Sequence, residues 1–223
     1  MIGVFDSGVG GLNSFSELRR LLPTENLIYL SDSINAPYGT KTKEALKKIV
    51  TENVNLLTDM GACPVLIACC TASAVWRELD ESVRRVTTPI IHTAARAAAE
   101  AVGHGSSVAV IATDFTAGSG IFKSEIHKIN PNIKVHEIPA QILVGLVELG
   151  ARDGELLPRE SEILDKICSE ISALGARVLI LGCTHFSSLK EEISKRLPGV
   201  SVINTAVIGA RRLAAELSEN KSE

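Results

Sequence analysis

Short apolar runs alternate with longer amphipathic stretches along the whole chain, a pattern that predicts strand–helix pairs rather than hairpins. Ile2–Phe5 reads as a buried strand ending at the glycine-rich turn Asp6-Ser7-Gly8-Val9-Gly10-Gly11. A helix is expected from about Ser14 to Leu22, stopped by Pro23. Leu27–Leu30 reads as a second strand, Lys43 to about Met60 as an amphipathic helix, and Val65–Ala68 as a third strand leading into Cys69 and Cys70. A helix near Ala72–Leu79 follows, then a short strand beginning over Pro89–His92 and an Ala-rich helix over about Ala94–Val102. The pattern then restarts. Strands are predicted at Val108–Ala112, Val135–Ile138, Val178–Leu181 and Val200–Ile203. Helices are predicted at about Ser119–Lys128, Ile142–Leu149, Pro158–Ala173 and Ser188–Arg196, and from about Ala206 onward. Alternation on this scale predicts an α/β architecture with parallel sheets.

The restart carries an internal repeat. Val65-Leu66-Ile67-Ala68-Cys69 and Leu179-Ile180-Leu181-Gly182-Cys183 share one design: three large apolar residues, one small residue, then cysteine. Threonine follows closely in both, as Thr71 and Thr184, and each unit has an earlier strand ending in Asp6-Ser7 or Thr113-Asp114. Two such units would each hold a cysteine at the carboxyl end of a strand, where open α/β sheets bind their ligands.

Composition narrows the partners. The chain has 223 residues, 45% of them hydrophobic and only 4% aromatic, which suits Val/Ile strands covered by Ala/Leu helices. A net charge of -3 supplies no basic field, so no nucleic-acid partner is expected. The N-terminal Met-Ile-Gly-Val-Phe lacks a basic leader and is cut short by Asp6, and no run approaches a membrane span, so a cytoplasmic protein is expected. Five cysteines, an odd number without a CxxC pair, fit a reducing compartment better than a disulfide scaffold or a structural zinc site. Of these, Cys63 and Cys168 are expected to act as small buried hydrophobes.

Cys69 and Cys183 admit either core packing or chemistry. A thiolate and a thiol on opposite sides of one carbon could remove a proton from one face and deliver one to the other. Each is predicted to precede a helix N-terminus, which favours the thiolate and lowers its pKa. His185 is a candidate proton partner for Cys183. Asp6 at a strand end reads as a helix cap or a catalytic acid, and Glu148 as part of a solvated helix face or an acid–base group. Asp6-Ser7-Gly8-Val9-Gly10-Gly11-Leu12 departs from a dinucleotide fingerprint, because Asn13 stands where the last glycine belongs. His92, His104, His127 and His136 show no partner pattern.

Five blocks make the pattern specific: IGVFDSGVGGL at Ile2–Leu12, DSINAPYGTKT at Asp32–Thr42, LIACCTASA at Leu66–Ala74, VGLVELG at Val144–Gly150 and LGCTHF at Leu181–Phe186. In this order they resemble the motif set of glutamate racemases, within the aspartate/glutamate racemase superfamily, from residue 2 to about 205. The resemblance implies two flavodoxin-like, doubly wound parallel-sheet domains related by pseudo-twofold symmetry, with the active site between them. Their boundaries would be 1–91 plus 205–223 and 92–204. It implies proton exchange by Cys69 and Cys183, assisted by Asp6 at the first thiol and by Glu148 and His185 at the second. Substrate contacts would come from Asp6, Ser7, Tyr38, Gly39, Cys70, Thr71, Thr184 and His185. No cofactor or metal is implied. The implied product is D-glutamate for peptidoglycan, and the implied assembly a homodimer.

The chain departs from that family in particular places. Cys70 stands where the family usually has asparagine, and Asn35 where many members carry arginine. Ser187-Ser188 replaces Pro-Leu, and Asn204 replaces a common aspartate. A thiol cannot replace an amide as a hydrogen-bonding group, and one lost charge-assisted bond costs about 1.5–3 kcal/mol. The departures therefore leave room for aspartate racemisation, for decarboxylation or isomerisation of a small diacid, or for a silent amino-acid-binding protein.

Overall fold

The computed structural model describes residues 1–102, 107–149 and 156–219. The chain forms two compact units: Met1–Thr93 with the segment that begins at Thr205, and Ala94–Asn204.

The first unit opens with β1 (Ile2–Asp6), α1 (Leu12–Leu21), β2 (Leu27–Ser31) and α2 (Lys43–Asp59). It continues with β3 (Val65–Ile67), α3 (Cys70–Ala74), α4 (Glu81–Arg85), β4 (Thr87–Pro89) and α5 (Ile90–Ala101), within which the boundary falls. Its four strands are all parallel, in the order β2-β1-β3-β4. Every residue of β1 and β3 is buried, as expected of central strands covered on both faces. Along α2, Leu46, Ile49, Val50, Val54 and Leu57 recur at helical spacing and are buried. Thr42 caps that helix by accepting the Ala45 N–H at 3.3 Å.

The second unit contains β5 (Ser107–Ala112), α6 (Asp114–Gly118), α7 (Ile121–Ile129), β6 (Lys134–Pro139) and α8 (Ile142–Leu149). Then come α9 (Pro158–Ala173), β7 (Ala176–Gly182), α10 (Lys190–Arg196) and β8 (Ser201–Asn204). Its parallel sheet runs β6-β5-β7-β8, the same order as the first, so the repeat in the sequence is a repeat of topology. Pro158 starts α9, and Glu160 accepts the Leu157 N–H at 2.8 Å. Leu164, Cys168 and Ile171 then turn one face of α9 into the core. The last helix, α11 (Thr205–Glu219), returns to the first unit. There the Ser14 hydroxyl donates to the Ala206 carbonyl at 3.0 Å, and a Cβ on Gly209 would lie 2.4 Å from Ile90 Cγ2.

Two sequence expectations are corrected. Pro89–His92 does not start a strand: β4 ends at Pro89, and Ile90 begins α5. The Ile pair looks like a strand alone, yet Ile90, Ile91, Ala94, Ala95 and Ala98 are all buried, which is the stripe of an amphipathic helix. The helix expected over Ser119–Lys128 is present as α7, and a further short helix, α6, precedes it: Thr113 caps α6 by accepting the Thr116 N–H, and Gly120, at φ 65°, separates the two. Cys63 is exposed rather than packed. Among the described residues no helix is long and apolar enough to cross a membrane.

Glu137 on the edge strand β6 acts as a remote cap for α7, accepting the Phe122 N–H at 3.1 Å. Burial pushes its carboxyl up to about 7, against the lowering effect of the Phe122 and Lys123 amides. A folded-state pKa above the unfolded value means stability that is full below pH ~4.5 and lost as the pH rises through about 7. Glu137→Gln keeps an acceptor and removes this loss. In urea melts the variant is expected to gain on the order of 1 kcal/mol over the parent between pH 5 and 8, discounted for partial exposure. Parallel pH dependences of the two proteins would refute this.

Candidate functional site

In a 2-1-3-4 sheet the second and third strands lie on opposite sides of the first, so the strand order reverses there and the carboxyl ends of the first and third strands flank a crevice. Both units place a cysteine there. Cys69 lies two residues beyond β3 and beside Asp6, the last residue of β1; Cys183 directly follows β7, beside Thr113 after β5.

In the first unit Asp6 is fully buried, and its Oδ1 accepts the Gly8 N–H at 2.9 Å. It does not cap α1, whose N-cap is Gly11 with no side-chain bond. The carboxylate instead folds the glycine-rich turn back on itself, and the turn brings Ser7 Oγ to 3.5 Å from Cys69 Sγ. Cys69 is the N-cap of α3 and 5% exposed. The expectation of a lowered thiol pKa is overturned. Burial, then the Asp6 carboxylate, push it up to about 11, while the Ala72 N–H and Ser7 pull only weakly the other way. A five-residue helix supplies too little dipole to outweigh desolvation.

Around this thiol, Thr71 is buried and the buried Cys70 thiol donates to Thr205 Oγ1 at 3.4 Å, tying α3 to the start of α11. Tyr38 and Gly39 form one short turn, both buried. The Tyr38 hydroxyl donates to Asp32 Oδ2 at 2.5 Å. Asn35 donates to both Asp32 oxygens at 3.0 and 2.9 Å, and Asn53 to Oδ2 at 2.9 Å. Burial raises the Asp32 pKa, but the donors from Tyr38, Asn35 and Asn53 outweigh it and hold the carboxyl below its ordinary value. Burial, then Asp32, push the Tyr38 phenol well above its usual range, so it stays a donor.

In the second unit Cys183 is 6% exposed, and its Sγ lies 3.7 Å from His185 Nδ1. His185 Nε2 lies 3.3 Å from Oε1 of Glu148, which reaches in from α8 with a half-exposed side chain. The three form a line from thiol through imidazole to carboxylate, which suits proton transfer at Cys183. Thr184 is buried beside them. Two departures meet nearby: the Ser187 hydroxyl donates to Asn204 Oδ1 at 3.0 Å.

Asp6, Ser7, Tyr38, Gly39, Cys69, Cys70 and Thr71 thus belong to the first unit, and Glu148, Cys183, Thr184 and His185 to the second. The sequence reading left out Asp32 and Asn53, which hold the Tyr38 hydroxyl, and Tyr29, whose phenol meets the glycine-rich turn; Thr113 it had placed only as the counterpart of Asp6 in the repeat. Of the other histidines, His92 packs edge-on against Trp76 with ring centroids 5.1 Å apart, and His127 Nε2 lies 2.9 Å from the Ile133 carbonyl oxygen. His136 lies on β6, and His104 lies outside the described residues. Among the described residues no cluster of three or more His, Cys, Asp or Glu is assembled for a metal ion.

Residues 15–213 match the family model for Asp/Glu/Hydantoin racemase. A glutamate racemase of Neisseria gonorrhoeae is 33% identical over 98% of this chain and 80% of its own length. The crystal structure of a glutamate racemase isoform from Bacillus anthracis superposes with a TM-score of 0.89 at 30% identity, over 99% of this chain and 82% of that one. That of a glutamate racemase from Francisella tularensis in complex with D-glutamate gives 0.88 at 32%, over 99% and 81%.

Proposed function

We propose a function from one premise: the chain belongs to the Asp/Glu/Hydantoin racemase family. The protein interconverts L- and D-glutamate by moving the α-proton between two thiols, Cys69 and Cys183, without a cofactor. The observation that carries this reading is the duplicated one, a cysteine at the equivalent strand end of each unit with an acid–base partner beside it. The glutamate racemases among its relatives, including one crystallised with D-glutamate, support the substrate.

The chemistry follows from charge. With its pKa pushed up to about 11, Cys69 rests as the neutral thiol at pH 7. An amino acid brings an ammonium group, which offsets the Asp6 carboxylate and favours the thiolate when substrate is present. The thiolate takes the α-proton from one face, and the Cys183 thiol supplies one to the other. Turnover leaves Cys69 as the thiol and Cys183 as the thiolate; the cycle resets when His185, backed by Glu148, passes a proton from solvent to Cys183 and Asp6 passes the one Cys69 gained back to solvent. In the reverse direction the roles exchange. Ser7, Tyr38, Gly39, Cys70, Thr71 and Thr184 hold the substrate. We place the activity in the cytoplasm, where D-glutamate feeds peptidoglycan synthesis, and expect a homodimer.

Incubating purified protein with L-glutamate in deuterated water, with no added cofactor, should give D-glutamate labelled at the α-carbon. Absence of both turnover and exchange for glutamate, with aspartate turned over instead, would refute the substrate assignment. Cys70→Asn tests the main departure: restoring an amide beside Cys69 should improve kcat/KM for glutamate by about tenfold, the worth of one such bond. An unchanged kcat/KM would show that Cys70 does not limit substrate binding.

A further inference from the structure

A half-buried contact near Cys69 lies outside the proton-transferring groups. The phenol of Tyr29, on β2, donates to the Gly8 carbonyl at 2.5 Å, and its oxygen packs closely against Gly11. A single hydroxyl therefore holds the glycine-rich turn by a hydrogen bond at Gly8 and by close packing at Gly11. Gly11 is the reason it can. A Cβ there would lie 2.5 Å from Asp6 Cβ and 2.8 Å from the Tyr29 oxygen, so the turn, the phenol and the Asp6 side chain are packed with no room for one more atom. The ring is itself fixed by Phe15 of α1, edge-on with centroids 5.8 Å apart.

We propose that Tyr29 is a positioning residue for the Cys69 half of the reaction: its hydroxyl clamps the turn that aims Asp6 and Ser7 at the thiol. Gly8 donates to Asp6 Oδ1, and Ser7 lies 3.5 Å from Cys69 Sγ, so the groups that set the thiol's surroundings hang on the segment the phenol holds. A turn with this much glycine has many accessible conformations, and an external brace removes that freedom before substrate arrives. Tyr29, the turn, Asp6 and Cys69 all belong to the first unit, so the effect falls on the proton transfer made by Cys69.

The inference rests on the proposed racemisation and predicts an asymmetry that a general loss of structure does not produce. Tyr29→Phe keeps the ring and its packing against Phe15 and removes only the hydroxyl. We expect kcat to fall about 10- to 100-fold with KM changed less than about threefold, in the range of a lost positioning contact. The α-deuterium isotope effect should rise for the enantiomer whose proton Cys69 removes and fall for the other, whose labelled bond Cys183 breaks before Cys69 delivers a proton. Gly11→Ala, which pushes the same three groups apart, should reproduce the asymmetry. Hydrogen exchange read by mass spectrometry checks the brace without activity: peptides spanning residues 7–12 should exchange faster in Tyr29→Phe and the rest of the chain as before. A variant with parental kcat and isotope effects overturns the proposal, as does an equal change in both isotope effects. If the parent itself does not racemise glutamate, the functional reading fails, and unaltered exchange over residues 7–12 would separately refute the clamp.

Discussion

Cys69→Ser and Cys183→Ser should each lower racemisation by about 10³-fold or more, at the upper end of what general acid–base groups supply. A serine hydroxyl is far too weak an acid to become the base that removes an α-proton, and it occupies nearly the same space, so the fold should survive. The two variants should also differ from each other in a way that tests the two-thiol scheme. In Cys69→Ser the second thiol still reaches the face it serves, so one enantiomer should take up deuterium slowly without inverting. In Cys183→Ser the other enantiomer should do so. Following both enantiomers by proton NMR in deuterated water reads this directly. Racemisation at the parental rate in either variant, or exchange of the same enantiomer in both, would remove the thiol pair as the catalytic machinery.

His185→Asn is expected to have the second largest effect, about 10²-fold in kcat. The imidazole is the group set against Cys183, at 3.7 Å, and asparagine can hydrogen-bond but cannot take or return a proton near neutral pH. Glu148→Gln should cost less, because a half-exposed carboxylate 3.3 Å from the ring orients it in water of high dielectric. The ordering is the test. A Glu148 variant more damaging than the His185 variant would place the proton chemistry on the carboxylate and contradict the line from thiol to imidazole to carboxylate.

Much of this was legible along the chain because it depends on local pattern. Three apolar residues, one small residue and a cysteine, repeated at Val65–Cys69 and Leu179–Cys183, require only that a buried strand end where a small residue lets the backbone turn. The parallel α/β class, the helices Ile142–Leu149 and Pro158–Ala173, and the pairing of Cys183 with a histidine two residues away follow from such short-range signals. The strand expected at Pro89–His92 failed for the complementary reason. Ile90 and Ile91 carry no mark of secondary structure until their burial with Ala94, Ala95 and Ala98 is known.

The sequence by itself thus determined the fold class, the duplicated strand-end cysteines and the motifs that identify the family, all encoded in residues near one another in the chain. Only the tertiary structure decided the ionisation of Cys69, because desolvation and the Asp6 charge act through space across 63 residues of chain and overrule the local helix-terminus argument. It also decided what Tyr29, Asp32 and Cys70 do. Their partners, Gly8, Tyr38 with Asn53, and Thr205, come together only when strands and helices pack, and no spacing along the chain announces contacts that burial and sheet order create.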